Sequence, residues 1–367
     1  MRSFLLRCLY WARLHVLLRR CSRDKVIILT YHGFTDQLSH GGIENHQGKH
    51  LLIQRLQRHV EYLKKHHRII SLEDIVDAFQ QGRKAPEGAV VITFDDGYKS
   101  NYNLAFPVLR KFNAPATIFL TTSFVDEKKY LWTDRIEYAI SKSGPARFEL
   151  NAGHGRGEVP WVVETGNPEL KRASERNIRN KIKAMPQDER FEVIETLEKK
   201  LGHQLSADPR PSDIYQPLDW EDIREMRASG LISMGSHSHS HPILSRCRPE
   251  ALKAEVLTSK KLIEERIGAS CRLFCYPNGQ IGDFDSRTKD MLRSSGFACA
   301  LTTVPGLNSQ ATDIFELKRI GVPHQGDMVD FVMNLYGVTQ FLSDAKQFVL
   351  KLFNLRRGEP PAEQCHG

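Results

Sequence analysis

Two acids stand side by side at Asp95-Asp96, directly behind the apolar run "VVITF", and three histidines share five positions in "HSHSH" at His237, His239 and His241. Carboxylates beside a buried strand cost desolvation energy unless a positive partner compensates. Imidazole nitrogens completed by a carboxylate are a common ligand set for zinc and its neighbours, so a divalent cation is the partner this pattern calls for. One aspartate would ligate it and the other would stay free. Such an ion lowers the pKa of water from about 15.7 toward ~7 and polarises a carbonyl. The free carboxylate can then accept a proton, and a protonated histidine can return one to a departing group. The chemistry implied is hydrolysis of an unreactive amide or ester. Pro242 biases His241 away from helical geometry, which places the cluster in a strand-to-loop turn.

The elements that must position these residues alternate along the chain. "KVIILTYHGF" is a short β-branched run closed by Tyr31-His32-Gly33, and "GAVVITFDDG" and "ATIFLTTSFV" read as further buried strands. Between them "LLIQRLQRHVEYLKKHH" has apolar residues at helical spacing, and "SLEDIVDAFQQG" is a helix with a Ser71 cap and a Gly82 stop. Over about 134–215 the rhythm breaks into a charged helical insertion without strand-like runs. It resumes with "LISMGSHSHSHP", "CRLFCYPNG" and "FACALTT" as strands, and with "DWEDIREMRASG", "PEALKAEVLTSKKLIEERIG" and "SRTKDMLRSSG" as helices. Such alternation implies parallel strands with helices outside, in an open sheet or a barrel, and ligands collect at the carboxyl ends of those strands. Tyr31-His32, Asp95-Asp96 and the histidine cluster all fall at such ends.

Bulk properties fit a globular α/β protein: 367 residues, 40% hydrophobic and 26% charged. The seven cysteines form no CxxC pair, which argues against a disulfide framework and for a reducing compartment. The net charge of +8 is densest over residues 1–24, with six arginines before the first acid, Asp24. This apolar, arginine-studded segment lacks the uninterrupted centre of a signal peptide or membrane span. It reads either as a helix on an anionic membrane surface or as a basic helix packed on the domain. A cytoplasmic or peripherally membrane-associated protein is expected, with no nucleic-acid partner, since no binding motif accompanies the basic residues. The segment 25–345 is expected to form one catalytic domain, followed by a polar tail over 346–367.

"TFDDGY" at 93–98 and "HSHSH" at 237–241 resemble the first two motifs of the polysaccharide deacetylases of carbohydrate esterase family 4, which include chitooligosaccharide deacetylases. "WEDIREMRASG" and "FCYPNG" add further matches, and the likeness runs from about Ile27 to Val322. The resemblance implies a distorted (β/α) barrel with a helical insertion, and a divalent metal, most often Zn2+, with Co2+, Ni2+ or Mn2+ as alternatives. It makes Asp96, His237 and His241 the metal ligands, Asp95 the catalytic base, and His239 a bystander. It implies removal of acetyl groups from N-acetylated sugars of a polysaccharide or glycoconjugate. It also marks Asn278 and Tyr276 of "FCYPNG" as candidates for oxyanion or substrate contact. Trp132 and Trp220 are candidates for sugar stacking or for packing.

Two departures from the pattern stand out. Cys275 occupies the place of the third motif's base-orienting arginine; Arg272 is nearby but faces the opposite side of an extended strand. No Leu-His motif closes the C-terminal part, where His324 in "RIGVPHQGD" is the nearest candidate. "ILTYHGF" instead resembles the circularly permuted poly-N-acetylglucosamine deacetylases, which makes His32 the preferred general acid. The missing arginine also leaves room for a glycan-binding scaffold without turnover, and the same machinery could serve O-acetyl or non-sugar amide substrates. The oligomeric state is not legible.

Overall fold

Eight short strands pair into one curled sheet: β1 Ile27–Tyr31, β2 Arg68–Ile69, β3 Ala89–Phe94, β4 Ala116–Leu120, β5 Ile232–Ser236, β6 Leu273–Cys275, β7 Cys299–Leu301 and β8 Ile320–Gly321. In this computed structural model, residues 2–151, 160–185, 187–209, 211–339 and 341–342 are described. The tail expected over 346–367 lies outside them. Every pairing in the sheet is parallel, in the order β7-β6-β5-β4-β3-β1-β8, with β2 lying along the start of β3. The chain just ahead of β8 also bonds to β7: Leu317 bridges Leu301, and the Thr302 N–H donates to the Leu317 carbonyl at 2.8 Å. This closing stretch, 317–321, spans the gap between the ends of the sheet. The result is an α/β fold with a distorted, curled parallel barrel, as the resemblance implied.

Side chains alternate between the two faces of each strand. Leu29, Ile92, Ile118 and Phe274 pack outward against helices such as Ile53–His66 and Pro249–Ile267, in the largest apolar cluster. Ile28, Val91, Phe119, Leu273 and Cys275 share a second cluster inside the curl. Both faces are therefore dry, which is why the strands read as unbroken apolar runs. Helices form where expected. Ser71 caps Leu72–Gln80 by accepting the Asp74 N–H at 3.1 Å, and Asp219 caps Trp220–Ala228.

The insertion departs from the all-helical expectation. Helices Trp132–Lys142, Pro168–Lys183 and Gln187–Leu201 surround an antiparallel hairpin of Arg147–Leu150 and Trp161–Glu164. Leu150, Trp161 and Val163 turn inward to a separate core with Ile136, Ile178 and Ile194. The strands are short, and Val162 on the outer face breaks the alternation, so the charged helices that follow masked them.

At the other end, helices α1 (Arg2–Trp11) and α2 (Leu14–Cys21) lie against helix Met328–Leu335, where Leu6 joins Met333 and Val338. Arg7 pairs with Asp327 at 2.9 Å. Among the described residues no helix is long and apolar enough to cross a membrane.

Gly235 of β5 faces the interior, where an added Cβ would stand 2.5 Å from the Phe119 ring and 3.0 Å from the Leu273 carbonyl oxygen. Gly235→Ala is expected to destabilise the protein by about 1–3 kcal/mol through overpacking. Thermal unfolding checks this, and an unchanged midpoint would mean that the interior has slack.

Candidate active site

The carboxyl ends of β3 and β5 bring the two sequence clusters together. The Asp95 N–H donates to the Tyr31 carbonyl at 2.9 Å and the His237 N–H to the Leu120 carbonyl at 2.9 Å, so each residue continues its strand's ladder. Asp95 points into the curl and Asp96 does not follow the strand: its φ of 76° turns the chain, and Gly97 follows at 92°. Ser238, His241 and Asn278 also have positive φ, so four of the eight such non-glycine residues described lie at these strand ends. Strain of this kind, of order 1–3 kcal/mol per residue, persists where surrounding contacts over-determine the backbone.

Those contacts are specific. Helix Pro249–Ile267 supplies Glu255, whose Oε2 accepts the N–H groups of His239 and Ser240 at 2.9 and 2.8 Å, and whose Oε1 accepts the Ser240 hydroxyl at 2.5 Å. The Ser238 hydroxyl accepts the His241 N–H at 3.1 Å. His239 is turned away, with Nδ1 2.9 Å from the Thr122 hydroxyl and Nε2 3.2 Å from Glu127.

Asp96, His237 and His241 converge. Their Nε2 atoms lie 3.6 Å (His237) and 3.5 Å (His241) from Asp96 Oδ1, and all three side chains are buried. Asp96 Oδ1 has no hydrogen-bond partner. His237 Nδ1 lies 2.8 Å from the Cys275 carbonyl; since a carbonyl only accepts, Nδ1 is the donor there, which leaves Nε2 as the ring nitrogen that faces Asp96. Burial, with His237 next in effect, pushes the His241 pKa down to about 3, so the His241 ring is neutral. Donors bound 2.0–2.1 Å from a tetrahedral ion sit about 3.4 Å apart, so the donor set and spacing fit such an ion. Asp95, His237 and Cys275 also come within reach of one another. Asp95 is already committed elsewhere.

Its partner is Arg319, which no motif identified. Arg319 stands on the closing stretch and reaches back into the curl. There its NH1 and NH2 donate to the two Asp95 oxygens, each at 2.7 Å, its Nε donates to the Thr302 carbonyl at 2.8 Å, and its NH1 meets the Thr93 hydroxyl at 3.2 Å. The side chains are 0% and 2% exposed. Burial alone would raise the Asp95 carboxyl; Arg319, followed by His237, outweighs it and holds the pKa below the usual range. Cys275, in the place expected for an arginine, puts its Sγ 3.8 Å from Asp95 Oδ2. Arg272 points outward and pairs with Asp77 at 2.8 Å. In "LKRIGV" Arg319 stands next to Lys318, and no local signal sets it apart.

The remaining candidates separate. His32 follows β1, its carbonyl held by the Asn101 amide at 2.7 Å from a π-helical turn, Asn101–Ala105. Burial lowers its pKa, opposed first by Asp96 and then by Asp95, so it lies within electrostatic reach of both. His324 packs on Gly48, and after burial Arg55 is the charge acting on it. Asn278 has a buried Nδ2 without a partner. Trp132, only 3% exposed, belongs to the insertion core, with the Arg190 guanidinium over its ring, and Tyr276 is fully buried, stacked on Phe284 with its hydroxyl donating to the Phe315 carbonyl at 3.0 Å. Both are corrected to packing residues, since neither ring has a face open to a sugar. Trp220 donates its indole N–H to Asp126 at 2.6 Å under Arg266.

A second set ties the insertion to the site. Lys49 Nζ donates to Asp134 at 2.5 Å, to Tyr98 at 3.1 Å and to Thr133 at 2.9 Å, and the Tyr98 hydroxyl donates to Asp134 at 2.8 Å. Lys49 also acts electrostatically on Asp96.

Comparison with known proteins gives a consistent picture. The polysaccharide deacetylase family model matches residues 82–300. The Bacillus subtilis protein named "Putative polysaccharide deacetylase YxkH" is 24% identical over 242 residues, 66% of this chain and 54% of that protein. The poly-beta-1,6-N-acetyl-D-glucosamine N-deacetylase of Escherichia coli K12 is 46% identical over 57 residues, 16% of this chain and 8% of that protein. The chain thus spans about half the length of the first relative and under a tenth of the second. Among solved structures, the Streptococcus pyogenes deacetylase PplD in complex with acetate aligns with a TM-score of 0.55 at 17% identity, covering 85% of this chain and 98% of that one. IcaB from Ammonifex degensii aligns with a TM-score of 0.52 at 17% identity, covering 86% and 97%. These two likenesses support the fold.

Arg319→Gln is expected to cost about 3–5 kcal/mol, because it leaves a buried carboxylate unpaired. The pH dependence should also change sign. In the native pair the depressed Asp95 pKa contributes stability that is present above ~4 and lost as pH falls through the folded value. Without Arg319 burial raises that pKa, so stability should climb as pH drops from ~7 toward ~4. Urea unfolding over that range reads the slope, and parallel slopes would refute the assignment.

Proposed function

The chain belongs to the polysaccharide deacetylase family, whose model covers more than half of it, and on that premise we propose a metal-dependent hydrolase that removes N-acetyl groups from an N-acetylated glycan. The observation that carries this reading is a buried cluster at the strand ends in which a carboxylate clamped by Arg319 stands beside a three-donor group with an unpartnered carboxylate oxygen. The names of several relatives, poly-beta-1,6-N-acetyl-D-glucosamine N-deacetylases, support poly-N-acetylglucosamine as the first substrate to try.

Asp96, His237 and His241 would hold the ion, zinc before cobalt, nickel or manganese. When bound, it would supply acidified water and polarisation of the acetamide carbonyl. Asp95 accepts the proton of the attacking water. Arg319 holds the carboxylate in place and ionised, at some cost to its basicity. His32 donates a proton to the departing amine nitrogen, so acetate and a free amino sugar leave together. The unpartnered Asn278 region supplies a donor toward the charge that develops on the carbonyl oxygen. Arg319 supports turnover over the inactive-scaffold alternative, which rested on a missing arginine.

Acetate release from β-1,6-linked N-acetylglucosamine oligomers, with and without chelator, tests the reading; release from O-acetylated substrates alone would replace the substrate. Asp95→Asn is expected to lower kcat by about 10²–10⁴ while metal content stays intact, and an unchanged rate would remove it as base. His237→Ala and His241→Ala should each lower bound metal by elemental analysis, and full occupancy in both would reject them as ligands. His32→Ala should slow turnover far more than His324→Ala; the reverse order would transfer the acid role.

A further inference from the structure

α1 is apolar on two sides, and the fold uses one of them. Leu6, Leu9 and Tyr10 join the cluster around Met333 and Val338. On the other side Phe4 and Trp11 are 74% and 79% exposed, and Leu5, at the edge between the two sides, is 43% exposed. Phe4 and Trp11, seven residues apart, share a helix face. Leu17 of α2 is 58% exposed, and Phe341, next to Leu342 of the same cluster, is 70% exposed. Five of the nine large apolar side chains exposed among the described residues therefore belong to this corner. A helix fixed to the body by one face, with Phe and Trp on the other, is a surface built to be covered.

Charge decides what covers it. On α2, Leu17 and Arg20 stand at i and i+3 and both are exposed, and the exposed Arg13 precedes the helix, so cations and apolar groups share its outer side. Beside α2, a cavity of about 530 Å³ is lined by Arg19, Arg20, Arg23, Lys65 and Arg68, with Glu87 as its acid. Arg23 pairs with Glu87 at 2.9 Å, which leaves a strong positive surplus. A surface that offers apolar depth beneath a layer of phosphates complements both parts together. We propose that α1 and α2 dock this protein on an anionic membrane surface. Phe4 and Trp11 enter the boundary between headgroups and acyl chains, and the α2 arginines and their cavity meet lipid phosphates. The inner face of α1 stays on the barrel, so docking needs no rearrangement.

Sedimentation of the full chain with vesicles tests this. Binding is expected to vesicles of equal parts phosphatidylcholine and phosphatidylglycerol, weakly if at all to phosphatidylcholine alone, and less at high salt. Phe4→Glu with Trp11→Glu should abolish binding, and Arg19→Gln, Arg20→Gln and Arg23→Gln together should weaken it at least about tenfold. The thermal midpoint serves as the check on folding. Protein that stays in the supernatant with the mixed vesicles overturns the proposal, as does binding indifferent to both variants. If Trp11→Glu instead converts a dimer to a monomer in light scattering, with no vesicle binding, the surface belongs to a second copy and the proposal fails.

Discussion

The Asp95 carboxylate is buried at the end of β3 beside Thr30 and Cys275, and the Arg319 guanidinium answers it through two parallel hydrogen bonds. In a dry interior neither ion would persist alone, because each loses several kcal/mol of hydration on burial. The planar fork of arginine matches the carboxylate in shape, engaging both of its oxygens while keeping donors free for Thr302 and Thr93. The position of the base therefore depends on the last stretch of the sheet, and the three-donor group next to it depends on the base staying ionised and out of the way.

Around that pair the backbone is held in conformations it would not choose. Asp96, Ser238, His241 and Asn278 all adopt left-handed φ, and each lies where a strand gives way to a loop. Glu255, Ser236 and Ser238 supply hydrogen bonds that make those turns the best available ones. The insertion takes part as well, since Asp134 at the start of its first helix receives Lys49 and Tyr98. A site assembled from five strand ends is thus rigid because helices outside the barrel hold its loops.

What could be read in advance followed from period and type. Strands buried on both faces show as apolar runs, so β1, β3, β4 and β5 and the polar residues at their ends were visible, as was the order of helices between them. Arg319 was not, because "ELKRIG" places it beside Lys318 and nothing local distinguishes an inward arginine from a solvated one. The hairpin Arg147–Leu150 and Trp161–Glu164 was missed because its alternation spans only four residues a side. Tyr276 illustrates the reverse case: an aromatic residue inside a motif suggests substrate contact, yet a large ring gains more by filling a core, and for Trp132 the packing alternative is the one the structure shows.

The two halves of the ion pair are 224 residues apart in the chain. On the ribosome, the carboxylate emerges long before the guanidinium that pairs with it, and the sheet cannot enclose Asp95 at low cost until residue 319 has followed. A truncated or half-made polypeptide would keep that region open and hydrated. Readiness for chemistry therefore waits on residue 319, and any product that stops short of it leaves Asp95 without its cation.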